Sequence, residues 1–316
     1  MSLPDPASNR SDARPPPRVT PGSLRAWVLA TRPATLPAAV APVAVGTACA
    51  HAAGGFRALP AAAALLGALL LQVTANLAND VFDSEKGADT PERLGPTRVV
   101  QSGLLSARAV RIGVIVVLLL ALLDGIYLTS VAGVAVVVMG LASMASAVAY
   151  TGGPYPLGYH GLGEVFVLVF FGWVGVCGTA FVQALHVPHT AWWAAGAVGA
   201  LTTTILVVNN LRDRETDAKA GKRTLAVLLG RRAALVELGL LLLVAFVIPV
   251  VLLLRGHASV WVLLPLITLP VAVQVMVRAT LDTGRTLNRV LVRTALLLLA
   301  HGFLLALGIG MGTEAA

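Results

Sequence analysis

Nine stretches of about twenty mostly apolar residues, the length a helix needs to cross a bilayer, divide this chain near 34–54, 59–79, 105–123, 128–150, 162–184, 191–210, 233–254, 258–277 and 292–312. In hydrocarbon every backbone N–H and C=O must be paired within the span or its closed sheet. Runs this long therefore dictate helices. Only 12% of the 316 residues are charged, where a soluble domain carries about 25%. The expected fold class is an all-α integral membrane protein of nine transmembrane helices. The division within 104–150 rests on a turn expected at Asp124-Gly125.

Residues 1–25 are rich in Pro, Ser and Arg and read as a disordered cytoplasmic tail, leaving 26–316 as one polytopic domain. Leu24–Arg32, with Trp27 between two arginines, suits a short helix lying in the interface. The net charge of +8 does not call for nucleic acid. With the N-terminus cytoplasmic and the C-terminus outside, all of the 23 basic residues except Arg57 and Arg255 fall in the tail and the even-numbered loops. That is the bias the positive-inside rule expects of a multi-pass membrane protein. Cys49 and Cys177 lie in apolar stretches and read as small buried hydrophobes.

Nearly half of the fifteen acidic residues sit in two short segments. The first follows span two and carries Asn79, Asp80, Asp83, Glu85, Lys86 and Asp89; the second follows span six and carries Asn209, Asn210, Asp213, Glu215, Asp217, Lys222 and Arg223. Both share the frame Asn-x-x-x-Asp-x-x-x, ending in Gly87 in one and Asp217 in the other. Four spans separate them, so both face the cytoplasm, as a parallel internal repeat. If the helices continue past the bilayer, Asn79 and Asp83 share a face, and Asn209, Asp213 and Asp217 form a column. Stacked carboxylates repel one another, and Mg²⁺, which favours oxygen ligands and keeps sites for phosphate oxygens, resolves the conflict. Two such columns make a seat for a diphosphate, with Lys86, Arg98, Lys222, Arg223 and Asn210 to take its remaining charge. Between spans four and five, Tyr150 to Glu164 holds three of the four tyrosines and no Lys or Arg. Tyr150 is a candidate for the cavity wall, where its ring would stabilise cationic charge. Phe166, Phe170, Phe171 and Trp173 read as helix packing or lipid contact.

The two loops resemble the paired signatures of the UbiA superfamily of intramembrane prenyltransferases, over roughly residues 30–312, which implies that the nine transmembrane helices stand around a central cavity. Arg32 to Pro37, Gly95 to Gly103, Tyr150 to Gly153, Asn209 to Asp213 and Lys222 to Ala226 resemble the branch that prenylates 1,4-dihydroxy-2-naphthoate in menaquinone synthesis. The resemblance implies that Asn79 and Asp83 bind one Mg²⁺ and Asp213 and Asp217 the other, with Asp80, Asn210 and Asp89 in supporting places. Asp83, Asp217 and Tyr150 would carry the chemistry. It implies transfer of a chain from polyprenyl diphosphate, held in the lipid bilayer by its tail, to the naphthoate, with loss of pyrophosphate and CO2. Two alternatives stand beside it: another phenolic or naphthol acceptor, or a secondary transporter using interfacial carboxylates.

Overall fold

The computed structural model describes residues 19–88 and 94–314, so Asp89 and most of the expected tail lie outside the described residues. Those that are described contain helices and no strand. They are α1 (Leu24–Thr31), α2 (Pro37–Ala52), α3 (Ala58–Glu85), α4 (Ala107–Ala132), α5 (Ala135–Ala149), α6 (Gly163–Ala184), α7 (His189–Lys219), α8 (Leu225–Leu254), α9 (Val260–Leu281) and α10 (Leu287–Gly310).

Each expected span finds a helix, but among the described residues only seven are long and apolar enough to cross a membrane on their own. An eighth is a bent pair, Leu24–Thr35 with Pro37–Ala52, broken by 54°. The break falls at Leu36, between Thr35 and Pro37; the first half is itself interrupted at Arg32, which adopts φ 49° ahead of Pro33, a residue whose ring disfavours the helical conformation in its predecessor. The ninth, α5, has 15 residues and at 1.5 Å per residue spans only about 22 Å. The turn expected at Asp124-Gly125 is absent. α4 runs through it to Ala132, and the chain reverses at Gly133, whose φ of 82° suits glycine. Asp124 instead lies within the span, its carboxylate close over Gly67 of α3.

Side-chain caps start several helices: Ser23 accepts from the Ala26 amide, Ser106 from Ala109 and Thr224 from Val227. The interfacial helix expected at Leu24–Arg32 is α1. Packing against the body begins just before it, since the Gly22 amide donates to the Leu104 carbonyl at 2.9 Å.

α7 is the central helix, with 78% of its apolar window buried against 11% for α4. Its run of Ala, Gly and Thr allows this, because small residues let helix backbones approach in a membrane. A Cβ on Gly172 of α6 would stand 2.7 Å from the Ala195 carbonyl oxygen and 3.1 Å from the Gly199 Cα. Around that contact, Leu168–Cys177 of α6 winds as π-helix, a widening often found beside functional sites. α8, α9 and α10 complete the buried core with α2, α6 and α7.

The cavity space divides in two. An apolar cavity of about 430 Å³ is lined by α2 to α6, from Tyr150 down to Asp124, Leu128 and Val182. Phe166, Phe170 and Phe171 line it, a role that their reading as packing or lipid contact left out; Phe171 and Trp173 also pack against the core, as that reading expected. A polar cavity of about 260 Å³ lies between α3 and α7. The two share Gln72, Ala75, Tyr150, Val167 and Phe171 in their walls. Gly172→Val should cost about 1–3 kcal/mol by overpacking, read as lower thermal stability in nanodiscs. Gly140→Ala, where nothing lies within 4 Å of the new methyl, should leave stability unchanged.

Candidate active site

The motif residues ride the last turns of α3 and α7, as a repeated unit requires. α3 ends at Glu85 and Gly87 takes φ 67°; α7 continues to Lys219 and Gly221 takes φ 74°. This explains why the first frame has Gly87 where the second has Asp217. The first helix terminates at that place in a left-handed residue, for which glycine carries no steric penalty, while the second extends far enough to carry a third ligand.

Asp83 is the hub. It is 2% exposed, and its Oδ2 accepts from Arg98 Nη2 at 2.9 Å. Its Oδ1 accepts from the Tyr159 hydroxyl at 2.7 Å and from Lys222 Nζ at 3.2 Å. Lys222 also stands 3.9 Å from Asp217 Oδ1, so one ammonium joins the two motifs across the cavity. Lys222 and Lys86 lie over the Tyr159 ring at 4.7 and 4.9 Å, within cation–π range. Lys86 donates to the Thr151 carbonyl at 2.6 Å, and Thr151 in turn donates to Asn79 Oδ1 at 2.8 Å. Burial lowers the Lys86 pKa from its ordinary value; Asp83 opposes that shift and Lys222 adds to it.

On the second motif the buried Arg212 binds Asp213 through Nε at 2.8 Å and through Nη2. The same guanidinium donates to Asn209 Oδ1 at 2.7 Å and to Asn288 Oδ1 at 2.8 Å. Asn288, on α10, passes the connection on to the Leu94 carbonyl at 2.9 Å. Arg212 and Asn288 were not legible as site residues. Arg212 sits inside the acidic motif, where a basic residue reads as simple charge balance, and nothing near Asn288 in sequence marks it.

Asn79, Asp83, Arg98, Tyr150, Asn210, Asp213, Asp217 and Lys222 all line the polar cavity. Three expected residues do not. Asp80 accepts from the Val99 and Val100 amides at 3.1 and 2.9 Å and stands 3.8 Å from Arg32. Its carboxylate therefore holds the loop that carries Arg98, instead of facing the cavity as a ligand. Arg223 touches the site through its backbone, donating its amide to the Tyr159 carbonyl at 2.8 Å. Lys86 stands behind the Thr151–Tyr159 layer. Asn210 does line the cavity, but its Nδ2 donates to Glu164 Oε1 at 2.8 Å. That bond occupies one of its two N–H groups, and the Oδ1 beside it does not pair directly with diphosphate oxygens.

The donor set fits Mg²⁺. It is made of carboxylate and amide oxygens, and among the described residues no group of three or more His, Cys, Asp or Glu converges on one point. That pattern suits an ion held by one or two carboxylates and completed by water and substrate phosphate.

The profile of the UbiA prenyltransferase family matches residues 39–297. The chain belongs to this family. Among relatives, the 1,4-dihydroxy-2-naphthoate octaprenyltransferase of Mycobacterium tuberculosis is 43% identical over 256 residues, 80% of this chain and 85% of its own length. The enzyme of the same name from Escherichia coli is 42% identical over 212 residues, 65% of this chain and 69% of its own. A UbiA homolog from Aeropyrum pernix K1 shares the fold at TM-score 0.65 and 18% identity, over 85% of this chain and 96% of that one. A UbiA homolog from Archaeoglobus fulgidus bound to DMAPP and Mg²⁺ gives TM-score 0.60 at 16% identity, over 88% and 98%. As a UbiA family member the chain is a prenyltransferase, and the transporter alternative falls away.

The division of labour between the two neighbouring carboxylates is testable. Asp80→Asn replaces one of the two acceptor oxygens with a donor, leaving one of the Val99 and Val100 amides without its partner, and should destabilise the protein by about 1–3 kcal/mol, measured by thermal unfolding. Glu85→Gln, which breaks the exposed pair with Arg111, should change stability by no more than about 1 kcal/mol.

Proposed function

We propose that this protein transfers a polyprenyl chain from its diphosphate to 1,4-dihydroxy-2-naphthoate, releasing pyrophosphate and CO2 and giving demethylmenaquinol. The observation that carries the reading is the meeting of the two cavities at Tyr150 and Phe171. One is apolar and suits a hydrocarbon chain; the other is lined by paired acidic motifs and cations and suits a diphosphate. The acceptor identity is supported by relatives that carry the naphthoate octaprenyltransferase name over most of their length.

Mg²⁺ would be held by Asn79 and Asp83 on one side and by Asp213 and Asp217 on the other, and would supply neutralising charge to the departing pyrophosphate. The chain's own residues do the rest. Arg98 and Lys222, which line the polar cavity, hold phosphate oxygens, and Lys86 adds positive potential beside the Tyr159 ring. This favours heterolysis of the allylic C–O bond, whose electron pair leaves with pyrophosphate. The Tyr150 and Phe171 rings line the place where the allylic cation develops, and the apolar walls exclude water that would trap it. The electron-rich naphthoate ring then attacks, and the carboxylate leaves as CO2. Location follows from the substrate: each buried CH₂ favours lipid by about 0.8 kcal/mol, so the enzyme meets the chain in the membrane. We place the motif ends of α3 and α7 at the cytoplasmic face, with the N-terminus on that side and the C-terminus outside, on the distribution of Lys and Arg.

Purified protein in nanodiscs, given 1,4-dihydroxy-2-naphthoate and a long allylic diphosphate, should form a decarboxylated prenyl-naphthol by mass, and only with Mg²⁺. Asp83→Asn or Asp217→Asn should lower turnover by at least about a hundredfold while membrane insertion is unchanged. Product from another phenol but none from naphthoate would move the acceptor assignment. Wild-type-like turnover in either variant would overturn the site assignment.

A further inference from the structure

The polar cavity is lined by amide side chains as well as by charges, and their orientation is fixed by what lies behind them. The Thr35 hydroxyl donates to the Arg32 carbonyl at 2.9 Å, so its lone pairs can only accept. Asn76 Nδ2 donates to that hydroxyl oxygen at 2.8 Å and to the Thr31 carbonyl at 2.9 Å. Neither partner has a donor to give, so the amide cannot be turned round without losing both bonds. Asn76 Oδ1 is therefore the group that side chain offers to the cavity it lines. Gln72, one turn deeper on α3, repeats the arrangement. Its Nε2 donates to the same Thr35 oxygen at 3.1 Å, and its buried Oε1 has no partner. Across the cavity Asn210 Nδ2 donates to Glu164 Oε1 at 2.8 Å, so in this orientation Oδ1 is the acceptor that side chain has left to offer.

Two helices thus present carbonyl oxygens toward one space from opposite sides. Such a surface repels diphosphate oxygens and selects a ligand with hydroxyl donors. We infer that Asn76 and Asn210 form the recognition site for the hydroxyl groups of the aromatic acceptor, placing its ring beside Tyr150 where the two cavities meet. This deepens the proposed function and rests on it for the identity of the acceptor. In 1,4-dihydroxy-2-naphthoate the 1-hydroxyl is shared with the adjacent carboxylate, whereas the 4-hydroxyl is free to donate. As the ring attacks, positive charge grows on its hydroxyl oxygens, and a hydrogen bond to an amide oxygen strengthens with it. The amide is too weak a base to take the proton, so its role is to hold and select.

The test is equilibrium binding to the full protein in nanodiscs, comparing 1,4-dihydroxy-2-naphthoate with 1-hydroxy-2-naphthoate, which lacks only the 4-hydroxyl. Wild type should prefer the dihydroxy compound by about tenfold or more, because the analogue leaves buried acceptors unpaired. Because one hydroxyl proton pairs with one acceptor, at least one of Asn76→Leu and Asn210→Leu should bring that ratio toward one, while affinity for a non-cleavable prenyl thiolodiphosphate stays within about twofold. Equal binding of the two naphthoates by wild type overturns the inference without any variant. A ratio that survives both substitutions overturns it as well. If wild type discriminates as expected but never prenylates the naphthoate, the acceptor site stands and the proposed reaction falls.

Discussion

Asp83 carries the constraint on which the site depends. A carboxylate removed from water is costly unless charge and hydrogen bonds replace its hydration. Here three groups from three separate segments do so: Arg98 from the loop after α3, Tyr159 from the loop before α6, and Lys222 from the turn after α7. Each of those segments is drawn to the end of α3 by this contact. Lys222 also reaches Asp217, so the same cluster brings the second motif opposite the first. Asp80 next door fixes the loop that delivers Arg98, which separates scaffolding from ligand binding within one short acidic run.

The two halves of the molecule answer different demands. α7, small-residued and buried, lets α6 approach to backbone contact and anchors the core formed with α2, α8, α9 and α10. On the other side α2 to α6 line open apolar space. Chain binding needs such space, while holding a diphosphate in place needs rigidity, and the cavities meet at the boundary between the two regions. The expected ring of helices around one central cavity is thus a packed half beside a hollow half.

What could be read from the sequence was what depends on local composition or on fixed spacing. Apolar runs located α2 to α10, because hydrocarbon allows little else. The Asn-x-x-x-Asp spacing found the two motif columns, because residues four apart share a helical face. Asp124-Gly125 misled because a turn signal in a soluble chain is tolerated inside a membrane helix once its carboxylate packs over a glycine on a neighbour. The phenylalanines of α6 were legible only in part because an apolar ring serves equally against lipid, core or cavity. Asp80 looked like a ligand by type and place, and only the Val99 and Val100 amides, brought over by a loop, show what it holds. Arg212–Asn288 and the fixed amides of Gln72, Asn76 and Asn210 were invisible, since each depends on a partner behind it that folding supplies.

The central claim is that both motifs act as one metal-dependent diphosphate seat. The most direct measurement is a count of bound Mn²⁺, standing in for Mg²⁺, by electron paramagnetic resonance on nanodisc-embedded protein with a non-cleavable prenyl thiolodiphosphate. The account predicts two ions per chain, each dependent on the diphosphate, and loss of one on Asp83→Asn and of one on Asp217→Asn. A single ion unaffected by either substitution, or tight binding of the diphosphate with no metal, would contradict it.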